Sequence, residues 1–130
     1  MPVANSVPRF IADPVVGIAA ISTANPNRDG TGTMGTVATA PATGMVIDLI
    51  RVKASATTTA GMVRLFIHDG STARLYDEVA VTAITPSATV KSFEAEVAPT
   101  TPLILPSGYS LRASTEQAEA FNVYAIGGNY

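Results

Sequence analysis

At 130 residues the chain is long enough for one domain with a real core and short for two. Charged residues make up 14%, against roughly 25% in an ordinary soluble domain, and the net charge of −2 comes without a Lys/Arg cluster, which argues against direct nucleic-acid binding. Cysteine is absent, which excludes disulfides and thiolate metal sites, and no apolar stretch approaches the roughly 18 residues that span a membrane.

In chain order, residues 1–14 carry Pro2, Pro8 and Pro14. Proline fixes φ and removes a donor, so this segment reads as an extended arm that precedes a single domain over 15–130. No basic segment followed by an apolar run marks a signal peptide. Val3, Val7, Phe10 and Ile11 are the arm's apolar residues and its candidate partner-binding residues, toward its own domain or a neighbouring subunit. Residues 15–23 form the first predicted strand, 25–32 a Gly/Asn/Pro loop, 34–39 a short strand and 41–44 a turn. Residues 45–54 form a strong strand without clean alternation, so it is central or carries a bulge. Residues 56–60 lead into a hairpin over 61–81.

In that hairpin Val63, Leu65 and Ile67 share one face, and Leu75, Val79 and Val81 share another, with Asp77 intruding. Directly opposed residues must then have an even number sum, which requires an odd loop or a bulge. A loop of His68, Asp69 and Gly70 would oppose Arg64 to Arg74; a shift of two opposes Arg64 to Tyr76 and is preferred. Residues 85–88 turn the chain. Over 90–97, Phe93, Ala95 and Val97 face inward and Glu94 and Glu96 outward. Leu103 to Leu105 is short and apolar, and 106–108 is a turn. Tyr109, Leu111 and Ala113 alternate with Ser110, Arg112 and Ser114; 116–119 is a loop or one helical turn; Phe121, Val123 and Ala125 mark the last strand. About eight short strands between Gly, Pro, Ser and Thr turns predict an all-β fold, a single β-sandwich of jelly-roll type. So few charges suit a surface covered in an assembly, or one carried by Thr, Ser and Asn.

No active site emerges, and no cofactor is expected. His68 is the only histidine and has no Cys or second His beside it, so it reads as a turn-flanking residue. Glu94 and Glu96, with Asp77 and Glu78 on a neighbouring strand, have the spacing of a glycosidase pair but no Trp platform, and read as a solvated face. Asp29, Gly30, Thr31, Gly32 and Thr33 lack the Lys-Ser/Thr ending of a phosphate loop.

Two blocks carry a resemblance. One is Arg51-Val52-Lys53-Ala54 with the run from Thr57 to Gly70; the other runs from Leu103 to Ser114 and continues in Ala120 to Ala125. Together they cover less than half of the chain, and they resemble a family of small virion proteins of tailed phages and prophages. The resemblance implies a capsid decoration, or cement, protein. Such a protein is made in the bacterial cytoplasm and binds the major capsid protein on the capsid exterior, here as a homotrimer, with no nucleic-acid or membrane partner. A tail or head-fibre component with a receptor- or glycan-binding role is the alternative, and a small hydrolase acting through Glu94, Glu96 or His68 a distant third.

Overall fold

The computed structural model describes residues 10–130. Nine strands run β1 (Asp13–Ile21), β2 (Gly35–Thr39), β3 (Met45–Ala54), β4 (Gly61–His68), β5 (Ala73–Val81), β6 (Glu94–Val97), β7 (Leu103–Leu105), β8 (Ser110–Thr115) and β9 (Phe121–Asn129). They form two antiparallel sheets packed as a β-sandwich, without helix among the described residues. Sheet A has the order β1-β9-β3-β6, with β7 also paired to β3; sheet B has the order β2-β8-β4-β5. All connections but β4–β5 and β6–β7 pass between the sheets. Against about eight expected strands there are nine, the short apolar run Leu103–Leu105 being a strand of its own, and β6 and β7 lie along the same side of β3. β6 starts only at Glu94, and Asp13 and Pro14, assigned to the arm from the sequence, belong to β1. Val3 and Val7 lie outside the described residues.

The core fills the space between the sheets. Ile47, Ile50 and Val52 of β3 meet Val63 and Leu65 of β4, with Leu111, Ala113, Phe121 and Val123 around them. Phe93 and Phe121 pack edge to face, 6.3 Å between ring centroids at 87°. The irregular pattern of β3 has a simple cause. Asp48 is an extra residue opposite β9, so Ile47 pairs Gly127 while Leu49 pairs Ile126. Inward residues are therefore odd-numbered before Asp48 and even-numbered after it, and β3 is both central and bulged.

The β4–β5 hairpin meets its parity requirement by the bulge. Val63 opposes Val79 and Leu65 opposes Asp77, but Phe66 opposes Leu75, so Tyr76 is the inserted residue. The loop is 69–72, one residue longer than the sequence suggested. Two assignments change with it. Leu75 turns to the outer face with Phe66 and is partly exposed, instead of joining Val79 and Val81 in the core. Arg64 opposes Glu78, not Tyr76, because Glu78 is its ion-pair partner at 3.1 Å.

The two outer faces of the sandwich differ. On sheet B the chain covers its own face. Residues 22–34 cross it, tied by the Asn25 N–H to the Thr115 carbonyl at 2.8 Å, with Gly30 pressed on Ala73. Arg64, Phe66, Ala73 and Ser114 are all buried on that side. On sheet A the described residues leave the face of β1 and β9 open.

Candidate binding surfaces

β1 reads as an unbroken apolar run, which usually marks a strand buried on both faces. Only Ala19 and Ile21 are fully buried. Val16 and Ile18 are 61% and 58% exposed on the outer face, beside Ile126, which pairs with Val16 and is also exposed. Phe10 is 76% exposed, and Ile11 lies over Gly128, where an added Cβ would fall 2.2 Å from the Ile11 side chain. The bare apolar strip therefore runs from the described end of the arm across β1 and β9. An uncovered strip of this kind is a mark of an interface.

The acidic residues read from the sequence as a solvated face are divided between the two sheets. Glu94 and Glu96 sit on β6 in sheet A, whereas Asp77 and Glu78 sit on β5 in sheet B, so the two pairs are not on neighbouring strands. Arg51 holds Glu94 at 2.6 Å and Glu96 at 2.7 Å. Among the described residues no group of three or more His, Asp or Glu is placed to hold a metal ion.

Sheet B carries a network that the sequence did not announce. Arg64 is fully buried, yet its fork is satisfied: Nε donates to Glu78 at 3.1 Å, Nη2 to Glu116 at 3.0 Å and Nη1 to the Asn25 carbonyl at 3.4 Å. Arg28 adds a second contact to Glu78 at 2.8 Å. Buried Asn25 continues inward along the loop, its Nδ2 donating to the carbonyls of Thr31 and Thr33 at 3.0 and 2.9 Å. Residues 22–34 are thus held as a shaped segment. Between this segment and the hairpin tip lies a polar cleft of about 530 Å³, lined among others by His68 and Arg112. His68, read as a turn-flanking residue, does serve the turn: its Nδ1 accepts the Gly70 N–H at 3.1 Å.

Several carboxylates are held below their ordinary pKa. Asp69 is depressed by the backbone N–H groups of Thr72 and Ser71, Glu78 by its hydrogen bond from Arg28, and Glu94 by its hydrogen bond from Arg51. A carboxylate whose folded pKa lies below its unfolded value stabilises the fold above the unfolded value and loses that contribution as pH falls through the folded one. Urea midpoints should therefore be flat from neutral pH down to about 5 and fall below about pH 4. Asp69→Ala should speed amide exchange at Ser71 and Thr72 and leave the core amides protected; unchanged exchange at the tip would refute the role given to Asp69.

No protein-family model and no curated protein matches the chain.

Proposed function

We propose that the chain is a virion structural protein of tailed phages, a capsid decoration protein that binds the lattice of the major capsid protein and stabilises the head. The observation that carries this reading is the bare apolar strip of sheet A, continuous with Phe10 and Ile11. A cement protein stabilises the shell by binding its assembled state, and an uncovered sheet face supplies the contact area. The low charge of 14% suits a surface of which part is covered. The strand orders β1-β9-β3-β6 and β2-β8-β4-β5, with β6 and β7 filling one position together, support the jelly-roll reading of the sandwich. In this reading the protein is a homotrimer on the capsid exterior, and its role is structural rather than catalytic.

Light scattering coupled to size exclusion tests the proposal, on the protein alone and mixed with capsids that lack it. A trimer that co-elutes with the shell is the expected result. Ile18→Glu should abolish co-elution while moving the folding free energy by less than about 0.5 kcal/mol, since Ile18 touches solvent rather than core. A wild-type protein that ignores the shell, or an Ile18→Glu variant that still binds it fully, counts against the proposal.

A further inference from the structure

The cleft over sheet B has a wall, a charge and a size that point beyond the capsid reading. Its wall is preformed. Gly30 and Gly32 both have φ of 89°, and a Cβ would lie 2.2 Å from the Ala73 carbonyl oxygen at Gly30 and 2.7 Å from the Asn25 side-chain amide at Gly32. Backbone, rather than side chain, therefore faces the sheet there, and Asn25 holds the carbonyls of Thr31 and Thr33 from behind. A site fixed in this way loses little entropy on binding.

Arg112 supplies the charge. It stands on the outer face of β8, opposite Phe66, and its Nε donates to Ser110 Oγ at 3.3 Å. Unlike Arg28, Arg51 and Arg64, it has no carboxylate partner among the described residues. The other end of its guanidinium is left as a fork suited to a carboxylate. His68, whose Nδ1 is an acceptor, carries its proton on Nε2 and offers a second donor. Asp29 also lines the cleft; one oxygen accepts from Thr31 N–H at 3.1 Å and Thr31 Oγ1 at 2.6 Å, and the other can accept from a ligand hydroxyl. Thr33, Ser71 and Thr72 line it as well.

This set selects among ligands. Two arginines without an ion pair among the described residues line the cleft, but Arg74 pairs with Ile67, on the core side of sheet B, whereas Arg112 pairs with Phe66 on the outer face. One guanidinium on that face suits a monoanion better than a phosphate dianion. A carboxylate and several hydroxyls in the wall demand a ligand rich in hydroxyl groups. The cleft lies over the outer face of β8 and β4 and reaches the edge strand β5 only at Ala73 and Arg74, so it offers little of the backbone pairing that extended peptides use. We propose that the cleft binds an acidic monosaccharide unit, its carboxylate on Arg112 and its hydroxyls shared among Asp29, His68 and the threonines. This inference stands on the cleft alone and is independent of the place of the protein in a virion.

The test is protein-observed NMR titration of the full chain with glucuronic acid and with N-acetylneuraminic acid. Glucose, methyl glucuronate and acetate serve as comparators. The expected result is saturable shifts at Gly30, Thr33, His68 and Arg112 with Kd on the order of millimolar for at least one of the acids, and at least about tenfold weaker binding of the neutral ester. Arg112→Gln should remove the binding and keep the thermal midpoint. The ester comparison uses the wild-type protein, so it decides the matter even if the variant folds poorly. No saturation by either acid, ester binding equal to the acid, acetate binding as tight as the sugars, or full binding by a folded Arg112→Gln variant would each overturn the proposal.

Discussion

Replacing Arg64 by leucine is expected to lower the unfolding free energy by about 3 kcal/mol, or roughly 10 °C in midpoint for a domain of this size. Removing one member of a buried ion pair costs about 3–5 kcal/mol when the other is left dry. Here the cost is at the low end, because the Glu78 and Glu116 side chains are 30% and 36% exposed and remain hydrated, and Glu78 keeps Arg28. What is lost is the anchor of the covering segment, since Nη1 of Arg64 is the donor to the Asn25 carbonyl. The amide of Asn25, bonded to the Thr115 carbonyl, should therefore exchange faster than the β3 and β9 amides, and to a greater degree than global destabilisation explains. Arg64→Lys should recover only part of the loss, because an ammonium on a flexible stem cannot reproduce a planar fork aimed at three acceptors. Full stability in either variant, by urea denaturation, would show that the buried guanidinium is incidental.

The second large effect is expected at a glycine. Gly127→Ala places a Cβ 1.9 Å from the Val46 carbonyl oxygen and 2.8 Å from its carbon. The obstacle is backbone of the paired strand, held at the β3 bulge, so neither partner can step aside without opening the β3–β9 pairing. A loss of about 4 kcal/mol or more is expected, near the whole stability of a marginal domain, so the variant should be largely unfolded by circular dichroism. Gly70→Ala is the control. It meets nothing within 4 Å, and its cost comes only from its φ of 101°, about 1 kcal/mol. Similar losses in the two variants would mean that the close approach at Gly127 relaxes readily.

These two residues mark the limit of what can be read in the chain. Alternation and turn residues disclosed the sheets: Val63, Leu65, Phe121 and Val123 face the core as their spacing required, and the need for a bulge in the hairpin followed from parity alone. Where the bulge falls did not, because moving it past Tyr76 reverses Leu75 without altering the pattern. Arg64 looked like one more outward polar residue. Its burial depends on residues 22–34 folding back across sheet B, a contact between segments about 40 residues apart in sequence that has no local periodicity to betray it. The apolar run of β1 marked a strand but not its surroundings, since one side of it is bare among the described residues. Phe10 and Ile11, singled out from the sequence as candidate contacts, lie next to that bare side. Arg112 gave no signal, and His68 and the loop Asp29 to Thr33 were weighed separately and set aside, since the cleft that joins them is built by segments distant in sequence.

The pairing of β1 with β9 also sets an order of events. Ile21 and Phe121, neighbours in sheet A, are 100 residues apart along the chain. During synthesis at roughly 5–20 residues per second, β1 emerges about 5–20 s before its partner exists. The β4–β5 hairpin closes within microseconds of its own emergence. Sheet A, by contrast, has β9 between β1 and β3 and cannot assemble until the last strand arrives. The nascent protein thus carries β1, apolar on both sides, as an unsatisfied edge until β9 is made, and refolding from denaturant should be slow, in milliseconds to seconds. The strand whose outer face is bare in the finished fold is also the one longest without a partner during its making.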